Sequence, residues 1–185
     1  MTIDLLRRNR VLILALAATA AAGCAQDSTP NSTPSEPDLV VPVFSYGAGH
    51  SVHGTVMTGS QETPARPSRA LGLLILKSWR DGTGLDYKLI VANIENVTQA
   101  HIHLAAPGVA GPVIAWLYPS APPAVLIPGR SNGELADGVI RDANVVGPLA
   151  GQGLVALVAA IKAGNAYANV HTTQFPPGEI RGQVR

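Results

Sequence analysis

Two histidines one residue apart, in Ala100-His101-Ile102-His103-Leu104, mark the first place where this sequence could do chemistry. On a strand, alternate side chains share a face. Ala100, Ile102 and Leu104 then turn to the core, and both imidazoles turn the other way. A second run, Tyr167-Ala168-Asn169-Val170-His171-Thr172, sets Ala168 and Val170 against Tyr167, Asn169 and His171. A third, residues 178–184, sets Ile180 and Val184 against Glu179, Arg181 and Gln183. A fourth polar island, Gln61-Glu62-Thr63-Pro64, falls in a loop after the first strand.

Two imidazoles on one strand and a third from another form a three-nitrogen set suited to copper or zinc. His101, His103 and His171 are the candidate metal ligands, and Glu62 or Glu179 could add an oxygen. The same residues also fit a polar cluster without metal. In that reading the histidines bond to carboxylates, and Glu62 or Glu179 pairs with Arg181. Glu62, Asn169, Glu179 and Arg181 are the supporting polar residues in either case. His50 and His53 are at odd spacing, so they cannot share one face of a strand and are read as surface or edge residues.

Other chemistries lack their residues. Gly129-Arg130-Ser131-Asn132-Gly133 matches the Gly-x-Ser-x-Gly pattern, but a strand-like run rather than a helix follows it, so it does not form a nucleophile elbow; the glycine-rich stretch 147–153 has no Lys-Ser/Thr pair to hold a phosphate. Glu62, Glu134 and Glu179 have no spacing that argues for paired-carboxylate glycoside cleavage. Trp79 and Trp116 are expected as core or rim anchors. No catalytic set emerges, and the pattern favours a non-enzymatic protein.

The elements that must carry these residues are short and β-rich. Runs at 51–58, 70–79, 85–92, 98–104, 112–118, 133–140, 165–172 and 178–184 are separated by Gly- and Pro-rich turns. That texture predicts a β-sandwich or barrel rather than an α/β fold. Asp81-Gly82 signals a hairpin between the second and third runs. Residues 154–162 are Ala-rich and followed by Ala163-Gly164, which predicts one short helix.

The chain has 185 residues with 13 Lys+Arg against 12 Asp+Glu, a formal charge of +1. One domain is the default for that length, and no basic field exists to hold nucleic acid. Charged residues are only 14% of the chain, which argues against a coiled coil or bundle. The single cysteine, Cys24, cannot close a disulfide within the chain.

Cys24 has a different context. Arg7, Arg8 and Arg10 precede a 12-residue apolar run at 11–22, interrupted only by Thr19, the length of a signal-peptide core rather than a membrane span. Ala21-Ala22-Gly23-Cys24 resembles the bacterial lipobox, with Ala21 where Leu is common. The reading is a lipoprotein signal peptide over 1–23, cleaved so that Cys24 is lipidated and anchors the chain to membrane. An ordinary cleaved signal or a retained short anchor is the alternative. Residues 24–47 contain the polar stretch AQDSTPNSTPSEP and are expected as a disordered tether. A domain over 48–185 follows, placed in the cell envelope and facing the periplasm or the exterior.

The motifs around the histidines resemble the CHRD (chordin-type) domain. They are Gly59-Ser60-Gln61-Glu62-Thr63-Pro64, Ala100-His101-Ile102-His103, Gly111-Pro112-Val113, residues 164–172 and residues 177–184, in that order. The resemblance implies an immunoglobulin-like β-sandwich in a secreted protein. The family includes animal chordin, an extracellular antagonist of bone morphogenetic proteins, and that role does not carry over to a bacterial lipoprotein. What remains is a lipid-anchored binding or structural module with an envelope or extracellular ligand, or a copper- or zinc-binding protein using the three histidines. The His-x-His strand is also similar to the copper-ligand strand of copper/zinc superoxide dismutase. That enzyme's disulfide cysteines are absent here, so dismutase activity is not expected.

Overall fold

The structure is a computed structural model that describes residues 50–185. The expected signal peptide over 1–23, Cys24 and the expected tether over 24–47 lie outside the described residues. Among the described residues there are seven strands: β1 Val52–Thr58, β2 Leu71–Ser78, β3 Leu85–Leu104, β4 Val113–Tyr118, β5 Ile127–Ile140, β6 Ala166–Thr172 and β7 Ile180–Gln183. One helix, α1 Gly153–Lys162, packs Leu154, Leu157 and Ile161 into the core. Its stop is the expected one, with Gly164 at φ +71° just beyond the last turn.

All pairings are antiparallel, and they form one sheet rather than two. The path runs β2-β1-β7-β6-β3, and β3 pairs back onto β2, so the sheet closes. The β1–β7 seam is short. Thr58 lies opposite Arg181, and Gly54 and Arg185 exchange backbone hydrogen bonds of 2.9 and 3.1 Å. The all-β expectation with one helix therefore holds, but the immunoglobulin-like sandwich does not. The closed sheet is the barrel alternative that the strand texture also allowed.

The reason lies in β3, whose 20 residues were expected as two strands. Its first part pairs with β2 on one edge and β5 on the other. Its last part pairs with β6 and β4. One strand thus belongs to both sides of the structure, and a bend replaces the gap between two sheets. The bend is made by register shifts between Val91 and Ile94 and between Glu95 and Val97. Asn93 at φ 57° and Asn96 at φ 54° occupy the left-handed region there. Asparagine is one of the few residues besides glycine that visits that region readily.

The shifts decide which face the histidines take. Leu85, Tyr87, Leu89 and Val91 are buried at odd positions, then Ile94, then Val97, then Ala100 and Ile102 at even ones. An uninterrupted alternation would have sent residues 101 and 103 to the same side as Leu89. The bulges move the apolar set to even numbers, so Ile102 enters the core and His101 and His103 leave it. The core gathers Met57, Leu74, Leu76, Leu89, Ile94, Ile102, Ile114, Leu117 and Ile140, all at or below 1% exposure. Among the described residues no helix is long and apolar enough to cross a membrane.

Candidate metal centre

The face opposite Ile102 is polar and yet closed to solvent. On β3 and β6, His101 pairs with Asn169, His103 with Tyr167, and Gln99 with His171. Asn169 in turn pairs with Arg181 on β7. This brings the three polar runs of the sequence side by side. His101, His103 and His171 are 3%, 7% and 6% exposed. A strand face that is both polar and buried needs a cover, and three loops provide it: 59–70, 105–112 and 173–179.

Those loops hold the imidazoles through one ring nitrogen. His103 Nδ1 lies 2.9 Å from the Gly111 carbonyl, and His171 Nδ1 lies 2.8 Å from the Pro176 carbonyl. A carbonyl only accepts, so each Nδ1 carries the proton and each Nε2 keeps its lone pair. His171 Nε2 is then the acceptor in its 3.2 Å contact with His101 Nδ1, which donates. His101 Nε2 and His103 Nε2 are buried with no hydrogen-bond partner. Gly111 can present its carbonyl here because it has no side chain; a Cβ would collide with the Leu104 carbonyl.

One nitrogen from each ring lies within 4.8 Å of the other two, and among the described residues these three side chains are a group that could hold a metal ion. Nitrogens that share a zinc ion at about 2.0–2.1 Å are roughly 3.3–3.5 Å apart, so the rings would have to draw closer to share one. Burial pushes the His101 imidazole from 6.5 down to about 3, helped by the two neighbouring rings. Burial likewise takes His103 to about 4, against the pull of the Gly111 carbonyl. His171 is lowered by burial too, with the Pro176 carbonyl opposing. All three rings are therefore neutral, the form that binds metal.

The supporting residues divide between two tasks. Tyr167 stacks on His103 with ring centroids 4.8 Å apart, and the guanidinium carbon of Arg181 lies over the Tyr167 ring at 3.4 Å from its centroid. Arg181 also donates to the Val109 carbonyl at 2.8 Å, and Gly111 N donates to Tyr167 Oη at 3.2 Å. These bonds fasten the 105–112 loop over His103. Trp116 meets His101 edge to face at 4.2 Å, a contact that the sequence did not indicate.

The carboxylates behave differently from expectation. Glu179 accepts from Ser68 Oγ at 2.6 Å and from Thr172 Oγ1 at 2.7 Å. Glu62 meets Asn169 Nδ2 at 3.5 Å, and burial holds its carboxyl above the ordinary range. Neither joins the histidine cluster, and neither makes an ion pair with Arg181; the ion pairs among the described residues are Lys88–Glu134 and Arg130–Glu95. Both carboxylates are occupied by neutral donors, Asn169 and Thr172 on β6 and Ser68 in the 59–70 loop, which spacing along the chain could not reveal. His50 is partly exposed and bonds to Ser78 O and Arg80 Nε, as an edge residue should. His53 is 8% exposed rather than on the surface, because the chain end at Arg185 covers β1.

The family comparison agrees with the resemblance. The CHRD domain family matches residues 54–184. No curated protein and no solved structure matches the chain.

Proposed function

The chain belongs to the CHRD domain family, and from that premise we propose that it is a non-enzymatic binding module of the cell envelope whose ligand is copper or zinc, held by His101, His103 and His171. One observation carries this reading: three buried neutral imidazoles converge to within 4.8 Å, and two of them have an Nε2 with no partner. A buried polar nitrogen without a partner is unfavourable in a structural role. A cation that accepts all three lone pairs removes that cost. The carbonyls of Gly111 and Pro176 orient the rings as outer ligands do in metal sites.

The second reading is a metal-free binding or structural module, and the His101–His171 hydrogen bond favours it. Metal analysis of protein purified without a His-tag separates the two. One equivalent of copper or zinc is expected after reconstitution, and it should disappear in His101→Ala and His103→Ala. Substoichiometric metal that does not respond to either substitution would remove the metal reading.

The envelope address rests on the sequence around Cys24. Lipidation at Cys24 would hold the domain on a polar tether at a membrane surface, facing the periplasm or the exterior. Signal cleavage before Cys24 also changes the formal charge from +1 to −1, by removing three arginines and Asp4. Cys24→Ala should abolish lipid labelling and release the protein from membranes; unchanged membrane retention would point to an uncleaved anchor.

A further inference from the structure

We infer that Asn169, through its amide Oδ1, is the fourth ligand of this site, and that the site therefore selects zinc over copper(I). The inference rests on the three-histidine reading and adds a donor and a preference to it. Asn169 is 3% exposed and sits on the same face of β6 as His171, directly across from His101. Its Nδ2 lies at 3.5 Å from both Glu62 Oε1 and the Pro177 carbonyl. Both oxygens are acceptors, so the nitrogen is the end turned toward them, and Oδ1 points the other way. Oδ1 is buried without a hydrogen-bond partner.

Where Oδ1 points is set by its neighbours. Asn169 faces His101 across the β3–β6 pairing and stands two residues from His171 on the same face of β6. His103 Nε2 and Asn169 Oδ1 are both buried and without a hydrogen-bond partner. His103 Nε2, His171 Nε2, the His101 ring and Asn169 Oδ1 thus belong to one buried polar stripe. The one proton among them lies on the His101–His171 contact. A divalent cation satisfies all four donors at once.

The donor set also carries the selectivity. Three imidazoles and one oxygen match a closed tetrahedral zinc site, whereas copper(I) is a soft ion that gains little from an amide oxygen. Glu62 stands behind the amide, where a carboxylate accepting from Nδ2 makes Oδ1 a stronger donor. Gly178 keeps that arrangement tight: a Cβ there would strike Glu62 Oε1 and Asn169 Nδ2.

Chelator competition with zinc and with copper(I) tests this on wild type, Asn169→Ala, Asn169→Asp and His103→Ala. Asn169→Ala should weaken zinc by roughly 10- to 100-fold and copper(I) by less than about threefold, and Asn169→Asp should restore zinc. The aspartate keeps the side-chain shape, so it serves if the alanine variant folds poorly. Equal losses for both metals in Asn169→Ala would make Asn169 a loop-positioning residue and overturn the inference. So would unchanged zinc affinity in Asn169→Ala alongside loss of both metals in His103→Ala, with the three-histidine reading left standing. If His103→Ala changes neither metal, the three-histidine reading itself falls.

Discussion

The two halves of β3 use the same alternation for opposite ends. In residues 85–91 the odd positions are core and the even ones face solvent, where Lys88 pairs with a half-exposed Glu134 at 2.7 Å. In residues 100–104 the even positions are core, and the odd ones face a closed polar layer where His101 and His103 are almost fully buried. The alternation persists in both halves despite further register shifts, at Leu89/Ile90 against β5 and at Ala100/His101 and Ile102/His103 against β4. What differs is what lies above the outward face: water in one half, three loops in the other. The comparison teaches that a strand supplies periodicity, and the cover decides whether its polar stripe is a surface or a site.

The largest effect should come from what the halves share. Leu89→Ala and Ile102→Ala both remove fully buried side chains and should each cost about 2–5 kcal/mol in chemical denaturation. If Ile102→Ala proves nearly neutral, the second half is held by its loops rather than by the common core.

Acid should separate the halves next. The folded values of about 3 for His101 and about 4 for His103 lie below the ordinary 6.5. Between these limits the unfolded chain binds more protons than the folded one, so stability is full above 6.5 and lost as pH falls through the window. Glu62, raised by burial, opposes that loss at the acid end. Denaturant midpoints measured across this range should fall in wild type and fall less in a His101→Leu/His103→Leu double variant. Equal slopes in both would place the acid sensitivity elsewhere.

The bulges that separate the halves are the third target. Asn93→Val and Asn96→Val force a β-branched residue into the left-handed region and should cost roughly 1–2 kcal/mol each. Asn96→Val should cost the more of the two if the Asn96 Oδ1 bond to Gly129 N, 2.9 Å long, also matters. Thermal melts of Asn→Gly controls, expected near wild type, isolate the backbone term.

The smallest effects belong to the outward positions themselves. Lys88→Met breaks a pair whose side chains are 50% and 46% exposed and should leave the denaturation midpoint close to that of wild type. His101→Leu, in metal-free protein, removes an unpartnered buried nitrogen and should be neutral or stabilising by about 1 kcal/mol. A marked loss of stability in His101→Leu would show that its bond to His171 holds the cover in place.

Much of this was legible in the chain. The Asp81-Gly82 turn, the helix stop at Gly164 and the apolar partners Ile102, Val170 and Ile180 are local signals, and local sterics and burial act on them directly. The same pattern assigned His101, His103, Asn169, His171 and Arg181 to one polar face, and register places them there. Trp116 and the occupied state of Glu179 were not legible, because each depends on contacts between distant segments.

The sequence by itself determined that the protein is all-β, which residues are apolar partners, and which three histidines share a polar stripe. Only the tertiary structure decided that the sheet closes, because closure depends on how many bulges one long strand absorbs. Only it decided that the stripe is buried, because the covering loops come from three separate parts of the chain. Burial is what lowers the three imidazoles below their ordinary value and leaves His101 Nε2 and His103 Nε2 without a partner.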